Sequence, residues 1–179
     1  VYLAANKPLG MISAMSDPDG RPCVGDLVAD RSERLFHVGR LDAETEGLLL
    51  LTNDGPLAHR LAHPSFGVQK LYRVVVSGRP SQATLRRLRE GVELDDGPVT
   101  VDRVKLVDTT ADRAQLEVAI HVGRNRVVRR LMEEVGHPVR QLMRLQFGPV
   151  KLGRLRPGGV RALTRHEVGA LLDSVDLST

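Results

Sequence analysis

The chain opens with Val1-Tyr2-Leu3-Ala4-Ala5, a run of strand formers that Asn6-Lys7-Pro8-Leu9-Gly10 brings to a stop. Leu35-Phe36-His37-Val38 is a second short extended run. The tetra-leucine Leu48-Leu49-Leu50-Leu51 lies between Gly47 and the turn Asn53-Asp54-Gly55, too short an interval for a helix, and predicts a buried strand. Pro56 suits a first helical turn, so residues 57–62 are expected to be helical until Pro64. Residues 70–77 alternate as a strand, with Lys70, Tyr72 and Val74 on one face. Residues 81–90 form a capped amphipathic helix closed by Gly91.

Beyond that helix, residues 92–94 and 99–107 are expected to pair as a hairpin around Asp95-Asp96-Gly97-Pro98. Residues 116–122 read as a further strand. Val127, Val128, Leu131, Met132 and Val135 then recur at helical spacing until Gly136 and Pro138. Residues 142–152 have strand character, and Thr164 with Glu167 forms a capping box opening a last helix over 165–172. Strands outnumber helices and many are joined by hairpins. The expected class is α+β, a mostly antiparallel mixed sheet with flanking helices.

The 179 residues suit one domain, or two small halves sharing a core. With 41% hydrophobic and 27% charged residues, the composition is that of a globular chain. No apolar run approaches the roughly 18 residues of a membrane span and no secretory leader is evident, so the expected location is cytoplasmic. Cys23 stands alone, which excludes an internal disulfide framework and a multi-cysteine zinc site.

Charge changes the picture more than composition does. The net charge is only +4, but residues 121–165 carry 11 Lys and Arg against 2 acids. The remaining 134 residues hold 15 basic and 20 acidic side chains. A basic segment on an acidic body marks a polyanion site, most often nucleic acid. Aromatic residues make up 3% and Trp is absent, so backbone electrostatics rather than base stacking should dominate affinity.

The sequence contains no Walker loop, no G-x-G-x-x-G after a strand and no G-x-S-x-G elbow. His59 and His63 have metal-ligand spacing on a helix, but no adjacent glutamate or third ligand accompanies them, and no metal is assigned. Cys23 has no surrounding motif that would make it a reactive thiolate. Chemistry concentrates in two places. One is Gly39-Arg40-Leu41-Asp42-Ala43-Glu44-Thr45-Glu46-Gly47, with three acids at spacing two. These acids fit a polar capping loop, a carboxylate metal cluster for phosphodiester cleavage, or a single carboxylate acting as nucleophile or base. The other is Gly123-Arg124-Asn125-Arg126-Val127-Val128-Arg129-Arg130-Leu131, where Arg129 and Arg130 flank an apolar helical stripe.

The run Gly39-Arg40-Leu41-Asp42-Ala43-Glu44-Thr45-Glu46-Gly47-Leu48-Leu49-Leu50-Leu51-Thr52-Asn53-Asp54-Gly55 resembles the signature of the bacterial ribosomal RNA pseudouridine synthases of the RsuA/RluB-like family. Asn6-Lys7-Pro8-Leu9-Gly10, Lys70-Leu71-Tyr72-Arg73-Val74, Gly123 through Met132, Phe147-Gly148-Pro149-Val150 and the segment 155–163 are similar to its other motifs, in the same order. The resemblance implies the pseudouridine synthase fold and an isomerase that turns a uridine of ribosomal RNA into pseudouridine without metal or cofactor. Large-subunit RNA is favoured over small-subunit RNA as substrate. It implies Asp42 as the essential carboxylate, Arg129 as its partner cation with Arg130 as fallback, and Tyr72 as the residue stacking on the base. Lys70 suits a second active-site cation and Leu163 an apolar wall beneath the uracil. Arg40, Arg124, Arg126, Arg140 and Arg144 are the candidate phosphate contacts. A monomer is expected, as is a catalytic domain lacking the small N-terminal RNA-binding domain usual in the family. The competing expectations are a non-catalytic RNA-binding assembly factor and a metal-dependent nuclease using Asp42, Glu44 and Glu46.

Overall fold

A computed structural model describes residues 1–177. In chain order the regular elements are β1 (Tyr2–Lys7), β2 (Phe36–His37), β3 (Thr45–Thr52), α1 (Gly55–Ala62), β4 (Lys70–Ser77), α2 (Gln82–Glu90), β5 (Val92–Leu94) and β6 (Gly97–Val99). They continue with β7 (Arg103–Thr109), β8 (Arg113–Ile120), α3 (Val127–Glu134), β9 (Val139–Phe147), β10 (Val150–Lys151), β11 (Val160–Ala162) and α4 (Arg165–Ser174). The chain divides into two compact units, one made of Val1–Val68 and the chain from Arg144 onward, the other of Gln69–Met143.

In the first unit β1 is central. It runs antiparallel to β3, from Tyr2 opposite Thr52 to Lys7 opposite Gly47, and antiparallel to β11 on its other edge. All four leucines of the tetra-leucine run are at most 3% exposed, because both faces of β3 are covered. That is why a continuous apolar run, rather than an alternating one, makes this strand. Leu49 and Leu51 pack with Leu3, Ala5, Leu35 and Leu41 in one core. The Asp54 side chain caps α1 by accepting from Leu57 N at 3.1 Å. At α4 the expected capping box is present, and Arg161 grips Glu167 through both carboxylate oxygens at 2.7 and 2.9 Å. That ion pair pulls the Glu167 carboxyl down to about 2.

In the second unit β8 pairs antiparallel with β4 on one side and β7 on the other. Helices α2 and α3 contribute Leu85, Leu88 and Leu131 to a core with Val74, Val76 and Leu116. Ser81 caps α2, as its sequence predicts.

Two expectations shift, and one strand arises that the sequence did not predict. The predicted hairpin arm 99–107 is really two strands. β6 pairs with β5, and β7 leaves that hairpin to pair with β8. The switch occurs where Val101 N bonds Leu88 O and Asp102 N bonds Ala119 O, partners far away in sequence. The strand expected at 142–152 folds back on itself as β9 and β10, with Val150 opposite Phe147. β11 has no local signature; its three residues become a strand only through pairing with β1. Among the described residues, no helix is long and apolar enough to cross a membrane.

Candidate active site

The first unit holds the acidic loop, and its backbone is fixed on both sides of Asp42. The Leu41 side chain is buried in the core, 5% exposed. The buried Ser13 hydroxyl accepts from Leu41 N at 2.9 Å and donates to Leu41 O at 2.6 Å. On the other side of Asp42, Ala43 O accepts from Gly10 N at 2.7 Å, and Asp42 O accepts from Thr45 N at 2.9 Å. Segment 12–14, which carries Ser13, is itself seated against residues 22–25 by Ile12 N to Pro22 O, Val24 N to Ile12 O and Gly25 N to Ala14 O. Asp42 is thus a half-buried carboxylate on a backbone that cannot wander. Gly47 closes the loop at φ +111, where a β-carbon would overlap the Arg144 carbonyl oxygen.

This loop is accompanied by a cation to which sequence reasoning gave no role of its own, only a place in a strand stop that is also one of the family-like motifs. Lys7, the last residue of β1, is wholly buried. Its Nζ donates to Pro8 O at 3.1 Å and Met11 O at 2.7 Å. Burial pulls its pKa down to about 8, opposed by the carboxylates of Glu46, Asp42 and Glu44. All three acids of the loop therefore act electrostatically on one buried ammonium. Among the described residues, no three His, Cys, Asp or Glu side chains are grouped to hold a metal ion. The available sequence signal was the lysine's place at the end of an apolar strand. Ser13 left no signal at all.

The second unit presents the tyrosine and the arginines. Tyr72, opposite Val118 in the ladder, is half-buried against the core. Lys70 lies two residues earlier, opposite Ile120, and its Nζ reaches the face of Gly123. Arg126 begins α3 in the left-handed conformation, φ 51, which turns the chain sharply into the helix. Arg129 is half-buried on that helix, in the turn after Arg126. Arg130 behaves differently: it donates to Asn125 O at 2.9 Å and to both oxygens of Asp96 at 2.9 and 3.2 Å. Arg124 joins it on the same hairpin, bonding Asp96 O, Asp96 Oδ1, Gly97 O and Pro98 O. The Arg130 hydrogen bonds, foremost, hold the Asp96 carboxyl below its usual range.

The remaining site candidates separate by exposure. Arg40, Arg126 and Arg140 are exposed, and Leu163 is half-buried with its N–H on Tyr2 O at 2.9 Å. Arg144, expected among the phosphate contacts, is instead 4% exposed. Its Nε donates to Leu48 O at 2.8 Å and its guanidinium lies over the Phe147 ring. Cys23 is buried, and His63 caps the turn that follows α1.

Residues 1–134 match the family model described as RNA pseudouridylate synthase. The chain belongs to that family. An uncharacterized RNA pseudouridine synthase of Mycobacterium tuberculosis is 54% identical over 99% of this chain and 71% of its own length. The protein named ribosomal large subunit pseudouridine synthase B in Bacillus subtilis is 41% identical over 96% of this chain and 71% of its own length. A protein of the same name in Escherichia coli is 42% identical over 98% of this chain but 61% of its own length. A crystal structure of a pseudouridylate synthase superposes with a TM-score of 0.82 at 29% identity, covering 95% of this chain and 73% of that one. The α+β class and the pseudouridine synthase fold expected from the sequence are therefore those of the protein, an enzyme isomerising uridine in RNA.

Proposed function

We propose that this pseudouridine synthase modifies a uridine of large-subunit ribosomal RNA, with Asp42 as its essential carboxylate. What carries the proposal is the Asp42 loop: a half-buried carboxylate whose two neighbours are tied down by Ser13 and Gly10, in the segment most similar to the family signature. The names of the Bacillus and Escherichia relatives favour the large subunit as the source of the RNA.

In the reaction the bond between uracil N1 and ribose C1′ breaks and a bond between C5 and C1′ forms. C5 loses a proton, N1 gains one, and no oxidant or energy donor is consumed. Asp42 acts as its carboxylate, by attack on C1′ or by removal of the C2′ proton. The base must leave its stack to reach it. Tyr72 stacks on the uracil, Arg129 is the partner cation of Asp42, Lys70 is a second cation, and Leu163 is an apolar wall. Arg40, Arg126 and Arg140, all exposed, take phosphates. Arg144 is left out of that set because its guanidinium is buried, and Arg124 and Arg130 act by holding the β5–β6 hairpin. The protein works as a cytoplasmic monomer without metal or cofactor.

Release of tritium from transcripts labelled at uridine C5 tests this directly. The parent enzyme releases tritium to water, and Asp42→Asn lowers the single-turnover rate at least about a hundredfold. An amide variant within about threefold of the parent would remove Asp42 from the chemistry. Mapping the product in both ribosomal RNAs identifies the substrate; pseudouridine confined to the small subunit would overturn the large-subunit assignment.

A further inference from the structure

Beside the Asp42 loop the protein holds a large aliphatic side chain out in water. Leu9 is 64% exposed, the most open of the exposed large hydrophobic residues, against 43% for Val107 and 38% for Val1. A single exposed leucine is ordinarily unremarkable on a protein surface. This one is distinguished by what fixes it.

Leu9 occupies the second position of a tight turn from Pro8 to Met11, closed by Met11 N on Pro8 O at 3.4 Å. Gly10 follows at φ +86, the left-handed third position that a type II turn requires. The buried Lys7 ammonium grips both ends of the turn, Pro8 O and Met11 O. Gly10 N is bonded to Ala43 O, the residue after Asp42. The tip is thus rigid and lies against the catalytic loop. Leu9 and Asp42 are the chain neighbours of the two residues joined by the Gly10–Ala43 bond, so a ribose held at Asp42 would have its adjoining nucleotides near Leu9.

We infer that Leu9 is a wedge that packs against a base of the RNA next to the target uridine, occupying the stack as the target leaves it. Evicting a base exposes the faces of its neighbours, and aliphatic side chains, leucine among them, are inserted into such gaps by nucleic-acid-binding proteins. The turn itself, Pro8-Leu9-Gly10-Met11, carries no aromatic side chain, so Leu9 is its apolar tip. A preformed turn adds to the effect, because little conformational freedom is lost when the wedge is inserted.

The inference rests on the proposed function, and its test separates the two. Single-turnover tritium release is measured for the parent, Leu9→Ala, Leu9→Gln and Leu9→Met on a folded large-subunit transcript. The same set is measured on a short single-stranded RNA carrying the mapped target uridine. On the folded transcript Ala and Gln lower the rate about tenfold, Met stays within about twofold, and on the single-stranded RNA all four agree within about threefold. Thermal melting and sedimentation are the same for all four proteins. Ala and Gln rates equal to the parent on the folded transcript overturn the wedge alone, as does an equal loss on both RNAs. So does a change in sedimentation with Leu9→Ala, which would assign the leucine to a second copy of the chain. A parent that releases no tritium from either RNA overturns the proposed function, and the wedge with it.

Discussion

The two loops that carry the enzyme's charged residues are held in opposite ways. In the first unit the Asp42 loop is fixed from within: a buried hydroxyl on Leu41, a backbone bond at Ala43, a glycine appressed to Arg144 and a buried ammonium below. In the second unit the arginine-rich segment leading into α3 is fixed from outside, through Arg124 and Arg130 on Asp96 and the carbonyls of the β5–β6 hairpin. Interior hydrogen bonds leave unsatisfied partners when broken and are little screened by salt. Ion pairs near the surface contribute little each and weaken as salt rises. Under the proposed function, a carboxylate that must meet one ribose carbon gains from the first kind of support. A basic segment that meets a flexible polyanion works with the second.

The largest effect that would break this contrast is at Gly47. Gly47→Ala places a β-carbon on the Arg144 backbone and an L side chain at φ +111, and should cost at least about 3 kcal/mol in chemical denaturation. A variant as stable as the parent would show that the loop is not held by that close approach. Ser13→Ala comes next, removing a hydroxyl that bonds both the N–H and the carbonyl of Leu41. It should cost about 2 kcal/mol and lower kcat more than it raises KM, because Asp42 loses its position rather than its charge. An unchanged kcat would mean that the other ties, at Asp42 O, Ala43 and Gly47, hold the loop without it.

Lys7 sharpens the comparison through pH. Its folded pKa of about 8 lies below the ordinary 10.5, so between those values the unfolded chain binds the extra proton. Stability contributed at this site therefore rises with pH across that window and is lowest below pH 8. The stability of the parent relative to Lys7→Met should rise by on the order of 1 kcal/mol from pH 8 to 10.5, and a flat difference would place the ammonium in contact with water. The smallest effect is at Asp96. Asp96→Asn should destabilise the protein only slightly, less than any variant above, and less still at high salt, with RNA affinity changing more than turnover. A larger, salt-independent loss would make the hairpin clamp an interior one.

The helices were legible where caps and periodicity agree. Ser81 and Thr164 cap α2 and α4, and the apolar spacing of Val127, Val128, Leu131 and Met132 matches the buried face of α3. The tetra-leucine strand was legible because a short apolar run between turn residues has few alternatives. The partner exchange after Val99 was not, since strand propensity is the same whichever ladder receives it. Arg144 and Arg140 look equivalent in the sequence; burial of one and exposure of the other comes from what packs above them.

Amino-acid order by itself determined the class of fold, the acidic loop, the basic segment and the family, because these depend on local pattern and on residue identity at fixed spacing. Only the tertiary structure decided that Lys7 is an interior ammonium, that Ser13 serves Leu41 and that Arg124 and Arg130 attend to Asp96. A side chain's identity states what it can bond, whereas its partner is chosen by which distant segment the chain brings alongside it. For Ser13 and Leu41 that segment lies 28 residues away, a separation across which no local periodicity carries information.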